Sequence, residues 1–210
     1  GKMSEPFFVA GNEYQPQPNM YAAEYNHYLA SLIAHPQMLA MAKSILGDDI
    51  RFDHCVTLNR RGGAAANTWH SHEYGEDNSD LGFIRIFFYV NGFTADDAGL
   101  KVVPGSHHYR DKSIRAQNDE ELLSCWMAGK KHPVTGRPLE IIPLDAPAGT
   151  VIVMWTHAAH GVTPRKPDSD TRWAVVYAYR NPGNPSEARW ITEAFESKAP
   201  PETEGLMSLY

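Results

Sequence analysis

Between residues 20 and 47 the apolar positions Tyr21, Tyr25, Leu29, Leu32 and Ile33 recur three or four apart, the period of a helix. Asn19 can cap its start. Pro36 suits the first turn of a second helix better than the interior of a single one, because proline has no amide hydrogen to give an interior turn. Gly47 then ends that second helix. From Ile50 the pattern changes to short β-rich runs at 50–60, 83–90, 99–103, 150–156 and 172–180, each bounded by Gly, Pro, Asn or Asp. Residues Phe83 to Val90 are largely apolar on both alternating faces, as in a strand covered on two sides. Arg85 is the exception there and needs a partner. The pattern predicts an all-β core with a helical preface.

The β pattern pauses between Tyr109 and Lys131, where a polar stretch holds a short helix predicted over 118–127. It either covers a pocket mouth or crosses the end of the core as a solvated connection. The last fifteen residues are rich in Pro, Glu and Ser and read as loosely attached, with Leu206, Met207 and Tyr210 able to dock. No period of 20 to 50 residues repeats, which removes solenoids and propellers.

The 210 residues fit one domain, enough to bury roughly 70% of the unfolded chain's surface. Its divisions are a helical lead-in at 1–49, a β core at 50–182 with an insert at 109–139, and a C-terminal segment at 183–210. A net charge of −6 gives no broad attraction to polyphosphate, so no nucleic-acid partner is expected. No run approaches the ~18 apolar residues of a membrane span, and none is expected to meet a membrane. Gly1-Lys2-Met3 reads as a cloning remnant rather than a signal peptide, with Met3 as the natural start. Cys55 and Cys125 are too few for a disulfide framework and lack the paired spacing of a zinc site. They predict a reducing, cytoplasmic setting and two buried apolar fillers.

Ten histidines are more than average usage. His70 and His72 in Thr68-Trp69-His70-Ser71-His72-Glu73 are two apart, which on an extended segment turns both imidazoles to one side. A surface pair of histidines satisfies the same spacing. His157 and His160 follow the run Val151 to Trp155, and only one of them can point toward the first pair. His160 is the better candidate, since Gly161 after it permits close backbone approach. Arg172 opens the apolar run Arg172 to Tyr179, and a guanidinium at the mouth of a buried strand must find an anion. Its planar fork suits a carboxylate held by two hydrogen bonds, and an ion pair with one of the chain's own acids satisfies it equally.

Four segments, in order, resemble the phytanoyl-CoA dioxygenase family of iron(II) and 2-oxoglutarate dependent oxygenases. Leu32 to Ile50 is similar to the family's helical lead-in, which ends in Leu-Gly before the first core strand. Trp69-His70-Ser71-His72 resembles its W-H-x-D segment. Ala98-Gly99-Leu100-Lys101-Val102-Val103-Pro104-Gly105-Ser106-His107 resembles the G-x-L-x-V-x-P-G-S-H signature. Pro147 to Val153, His160-Gly161 and Arg172 resemble the segment with the distal ligand and the co-substrate arginine. The resemblance spans residues 32–180.

It implies a mainly β fold with N-terminal helices, a double-stranded β-helix or cupin-like jelly roll with a metal inside one end. It further implies that His70 and His160 bind Fe(2+) and that Arg172 pairs with the distal carboxylate of 2-oxoglutarate. Thr57, Asn59 and His54 lie where such proteins donate further hydrogen bonds to that co-substrate. His107 falls in a structural turn and is not counted as a ligand. The implied partners are dioxygen and a small-molecule substrate, whose C–H bond is oxidised as 2-oxoglutarate decarboxylates to succinate.

The departure from the family pattern is His72, which stands where the family carries Asp or Glu and makes the ligand set one charge unit more positive. Four alternatives follow: His72 binds iron in a three-histidine face; it swings away and leaves an open position, as in related halogenases; Glu73 or Glu76 substitutes; or catalysis is lost and a ligand-binding barrel remains. A three-histidine dioxygenase independent of 2-oxoglutarate is a variant of the first. Among the aromatic residues, Trp69, Phe83, Phe87, Tyr89, Trp155 and Trp173 are expected to fill the core, while Arg60, Arg61 and Arg85 are candidates to read an anionic substrate group.

Overall fold

The computed structural model describes residues 19–72, 81–184, 189, 191–198 and 200–207. Helices α1 (His27–Ser31) and α2 (Pro36–Leu46) precede the strands β1 (Arg51–Arg60), β2 (Asn67–His70), β3 (Phe83–Tyr89) and β4 (Leu100–Val102). After them come β5 (Arg115–Ala116), α3 (Asp119–Ser124), β6 (Ile142–Pro143), β7 (Thr150–Trp155), β8 (His160–Val162), β9 (Arg172–Arg180) and α4 (Glu193–Lys198). The strands make two antiparallel sheets that do not close, in the orders β1-β9-β3-β7 and β5-β2-β8-β4-β6. Neighbours in space are distant in sequence, which is the jelly-roll topology of a mainly β double-stranded β-helix. No helix among the described residues is long and apolar enough to cross a membrane.

By its contacts the chain divides into two compact units. The first holds residues up to Leu58, the described part of Tyr74–Ile86, and Val175 onward. Pro36 stands at the first position of α2, where its missing amide hydrogen costs nothing, and Gly47 ends the helix at φ +83°. Asn26, rather than Asn19, caps α1 by accepting from the Leu29 amide; Asn19 instead meets the Thr57 hydroxyl. α1 and the turn that follows it are tied to β9 by two tyrosine hydroxyls, Tyr177 donating to Leu29 O and Tyr179 to Ile33 O. Leu206 and Met207 are buried, and the Phe52 amide donates to Leu206 O; Tyr210 lies outside the described residues.

The second unit holds Asn59–Glu73 and Phe87–Ala174. Here β2 lies between β5 and β8, in register Trp69 with Ala116 and His70 with His160. The segment beyond Tyr109 contributes to the core of this unit, and its residues Gln117 to Glu120 also line a pocket with Asn67, Trp69 and Lys101. Ile114, Leu122, Trp126 and Met127 pack with Trp69, Val103 and Ala159 into one buried cluster. Burying Trp69 alone contributes roughly 4–6 kcal/mol of transfer free energy. α3 is shorter than predicted; the Asn118 side chain accepts from the Glu121 amide, and Glu121 reaches back to the Gln117 amide. Two core expectations fail. Cys125 is exposed because it follows α3 on its outer side, and Trp173 is half exposed because it alternates with inward Arg172 and Ala174.

Candidate metal centre

Alternation along β2 separates Trp69 from His70. Trp69 turns into the cluster above, so His70 turns to the opposite face. Directly opposed residues of an antiparallel pair share a face, so the register brings His160 and Val102 to the side of His70. Gly161 falls on the other side, where an added Cβ would stand 3.3 Å from both the Trp69 ring and Asn67 O. That close approach explains the glycine after the histidine. His72, two residues beyond β2, completes a triangle: ring centroids are 4.2 Å apart for His70–His160, 4.8 Å for His70–His72 and 5.0 Å for His72–His160.

One nitrogen from each ring falls within 4.8 Å of the others, and no other group of three or more metal-ligating side chains converges in this way among the described residues. Two of the rings are set for coordination. His70 Nδ1 lies 2.8 Å from Thr68 O and His160 Nδ1 lies 2.9 Å from Ala158 O. A carbonyl only accepts, so each Nδ1 carries the proton and each Nε2 keeps a lone pair for a cation. Nitrogens sharing one ion at about 2.1 Å are separated by about 3–4 Å, a distance small side-chain rotations reach from here. The residues fit a bound divalent metal. His160 is buried and the other two are half-buried. Glu73 and Glu76, the carboxylates weighed as substitutes, lie outside the described residues.

The Pro-Gly-Ser-His signature supports this arrangement without contributing a ligand. Gly105 adopts φ +82°, and a Cβ there would collide with the His132 ring at 2.5 Å. The turn it permits places Ser106, whose hydroxyl donates to Val103 O and accepts the Ala159 amide. That fixes the residue before His160. His107 stacks on Trp155, with centroids 5.7 Å apart and planes 4° from parallel, and burial followed by the nearby His108 and His132 holds its pKa down to about 4.

Arg172 is buried, and its guanidinium donates to Ala98 O and lies over the rings of Tyr89 and Phe93, at 5.3 and 5.6 Å. Its Nε has no hydrogen-bond partner and no carboxylate among the described residues pairs with it. The internal ion pair that the sequence left open is therefore not made there. Burial lowers its pKa, Tyr89 opposes that shift, and neighbouring Arg60 and Arg165 add lesser repulsion. Ala98 lies two residues before the β4–β8 ladder begins and four before Val102, the partner of His160.

The other co-substrate candidates are placed as follows. Asn59 is exposed, and Thr57 is half-buried with its hydroxyl on Asn19. His54 is fully buried, its Nδ1 2.6 Å from Asp53, and burial is the main cause of its lowered pKa. Arg85, whose partner the sequence left open, is buried near enough to His54 to repel its charged form, and Arg180 Nη1 lies 3.8 Å from Asp53. His157, weighed beside His160 as the histidine to join the first pair, is buried but is not among the three converging rings.

A family model of phytanoyl-CoA dioxygenase (PhyH) matches residues 3–172. The chain belongs to this family. PhyH is a family of oxygenases of the non-haem iron type. The PhyH chain is similar to the dioxygenase lolE1 of Epichloe uncinata, 27% identical over 186 residues, 80% of this chain and 67% of that one. Among solved structures it resembles the non-haem α-ketoglutarate dependent carbocyclase SnoK from nogalamycin biosynthesis, with a TM-score of 0.59 and 17% identity over 76% of this chain. EctD from S. alaskensis, solved with 2-oxoglutarate and 5-hydroxyectoine, gives a TM-score of 0.57 and 21% identity over 76% of this chain. The chain spans 61% of SnoK and 54% of EctD.

Proposed function

We propose that this PhyH chain is a 2-oxoglutarate dependent oxygenase that oxidises a C–H bond of a small or medium-sized organic molecule, with iron held by His70, His72 and His160. The observation that carries the proposal is the triangle of imidazoles, two of them already in the tautomer that presents Nε2. Bound there, iron supplies oxidative decarboxylation of 2-oxoglutarate to succinate and carbon dioxide, coupled to oxidation of the substrate by dioxygen.

The chain's own groups bind, orient and exclude. The carbonyls of Thr68 and Ala158 hold two imidazoles against rotation. Arg172 offers a buried cation without a carboxylate partner, walled by Tyr89 and Phe93, which suits the distal carboxylate of a dicarboxylate and keeps water from competing for it. Replacing a carboxylate ligand by His72 leaves the ligand set neutral, which favours an anionic co-substrate. The free thiols of Cys55 and Cys125 suit a reducing cytoplasm.

The test is anaerobic addition of iron(II) and 2-oxoglutarate to the metal-free protein, followed by oxygen. A visible charge-transfer band, then succinate, is the expected result. Stoichiometric iron binding without a band or succinate would point to a three-histidine dioxygenase that does without 2-oxoglutarate. No iron binding at all would leave a ligand-binding barrel.

A further inference from the structure

The sheet β5-β2-β8-β4-β6 carries one row of residues in register across all its strands. Arg115 of β5 is the Cα partner of His70, His70 of His160, His160 of Val102 and Val102 of Ile142. Directly opposed residues share a face, so the whole row stands on the side of the metal centre. The neighbours of Arg115 agree with this. Ile114 and Ala116 are buried with Trp69 in the cluster on the other face, and alternation turns Arg115 away from them.

The guanidinium of Arg115 lies at the ligand-bearing loop itself. Its Nη1 donates to Ile114 O at 2.6 Å and more weakly, at 3.4 Å, to Ser71 O, the carbonyl between His70 and His72. The Nε–Nη2 edge makes no hydrogen bond, and no carboxylate pairs with Arg115 among the described residues. That edge is a planar pair of donors matched to the two oxygens of a carboxylate. Arg115 is exposed, so a ligand arriving from solvent can reach it.

Arg115 and Arg172 flank the histidines from opposite sides. Arg172 donates to Ala98 O, just before β4, whereas Arg115 stands on β5 at the other edge of the sheet. On the β4 side the row itself is apolar, with Val102 and Ile142. A guanidinium beside a divalent cation is repelled, and an anion bound between the two turns that repulsion into attraction. With 2-oxoglutarate held on the side of Arg172, the cation on the β5 side is left for a different anion. Arg60, Arg61 and Arg85, the arginines that the sequence offered as readers of an anionic group, have no place in this row.

We infer that Arg115 binds the substrate and fixes its class: a small molecule bearing a carboxylate, gripped by the Nε–Nη2 edge while its C–H bond faces the metal. The inference rests on the oxygenase reading and deepens it. A strand spacing of ~4.8 Å between β2 and β5 sets the acid group within a few bonds of the carbon to be oxidised. The acid group orients the substrate and is itself unchanged by the reaction.

The probes are phenylacetate, hexanoate and N-acetylvalinate, each beside its neutral primary amide. They are titrated by calorimetry into the metal-free full chain and, without oxygen, into the protein loaded with cobalt(II) and 2-oxoglutarate, where a shift of the visible band reports arrival at the centre. At least one acid is expected to bind about tenfold or more tightly than its amide, the size expected of charge-assisted hydrogen bonds, and to shift the band. Arg115→Gln is expected to abolish that preference, and Arg115→Lys, which keeps the charge without the fork, to retain part of it. Cobalt(II) and 2-oxoglutarate affinities in Arg115→Gln should stay within about threefold of wild type, because the contact to Ser71 O is long and Arg172 is untouched.

Equal binding of every acid and its amide to the wild type overturns the inference, as does a preference that survives Arg115→Gln. A loss of 2-oxoglutarate affinity in Arg115→Gln as large as in Arg172→Met overturns it too, because Arg115 then serves the co-substrate. Should the wild type bind neither cobalt(II) nor 2-oxoglutarate, the oxygenase reading fails and the substrate role with it, while an acid preference lost in Arg115→Gln still marks Arg115 as a carboxylate site.

Discussion

His70 and His160 are Cα partners across the β2–β8 ladder, their rings 4.2 Å apart, although ninety residues separate them along the chain. Each is oriented by a carbonyl two residues before it in its own segment. The pairing therefore depends on strand register, and the orientation depends only on local backbone.

That separation of roles predicts different consequences for binding and for stability. His70→Ala or His160→Ala should lower iron(II) or cobalt(II) affinity by more than about 100-fold, beyond what a supporting group costs. Unfolding free energy should change by only about 1 kcal/mol, since the ladder survives. Metal titration beside urea denaturation checks both. A large loss of stability with metal affinity intact would refute the assignment.

Arg172 should trade stability against binding. It is buried, repelled by Arg60 and Arg165, and pairs with no carboxylate among the described residues. Arg172→Met should leave the apoprotein as stable or more so, because an apolar group of similar volume replaces an uncompensated charge. The same change should weaken 2-oxoglutarate binding by about 30- to 1000-fold, the range for truncating one side of a buried charged pair. Arg172→Lys should fall between, keeping the charge but not the fork. The anaerobic charge-transfer titration measures the binding, and thermal denaturation without 2-oxoglutarate measures the stability.

Ser106→Ala should cost about 1–3 kcal/mol, because it orphans the buried Ala159 amide that the hydroxyl now accepts at 2.8 Å. The same loss loosens the residue before His160, so metal affinity should fall along with stability. Urea midpoints and chelator competition on one variant test the two effects together.

His107 should make the protein acid-sensitive. Burial, with His108 and His132 adding repulsion, lowers its folded pKa from 6.5 to about 4. Both states hold a neutral ring above pH 6.5. Between pH 6.5 and 4 the unfolded chain takes up a proton that the folded one refuses, so stability falls as pH falls through that window. Allowing for its partial exposure, the loss is about 1–2 kcal/mol by pH 4. His107→Gln should flatten the unfolding free energy over the same range, and an unchanged slope would show that His107 does not titrate this way.

The helices and longer strands were legible because burial imposes a period on residues close together in sequence. Pro36 and Gly47 mark the bounds of α2 as expected, and β1, β3, β7 and β9 fall within a residue or two of the apolar runs. The shorter strands β5, β6 and β8 have too few residues to show a period, and their pairing partners are distant. Trp173 and Cys125 misled for a related reason. Their apolar character is visible in the chain, but which side of an element faces solvent depends on what packs against the other side.

For the site, the sequence by itself determined which chemistry was available: an H-x-H pair, a His-Gly, a glycine-serine turn and an arginine at the head of an apolar strand. It did so because residue type and local spacing fix what a side chain can donate and which way it alternates. Only the tertiary structure decided that His70, His72 and His160 converge and that Arg172 is buried without a carboxylate partner among the described residues. Those facts depend on strand register and on the return of a distant loop, and each is set by burial and pairing summed over the whole chain rather than by any segment read alone.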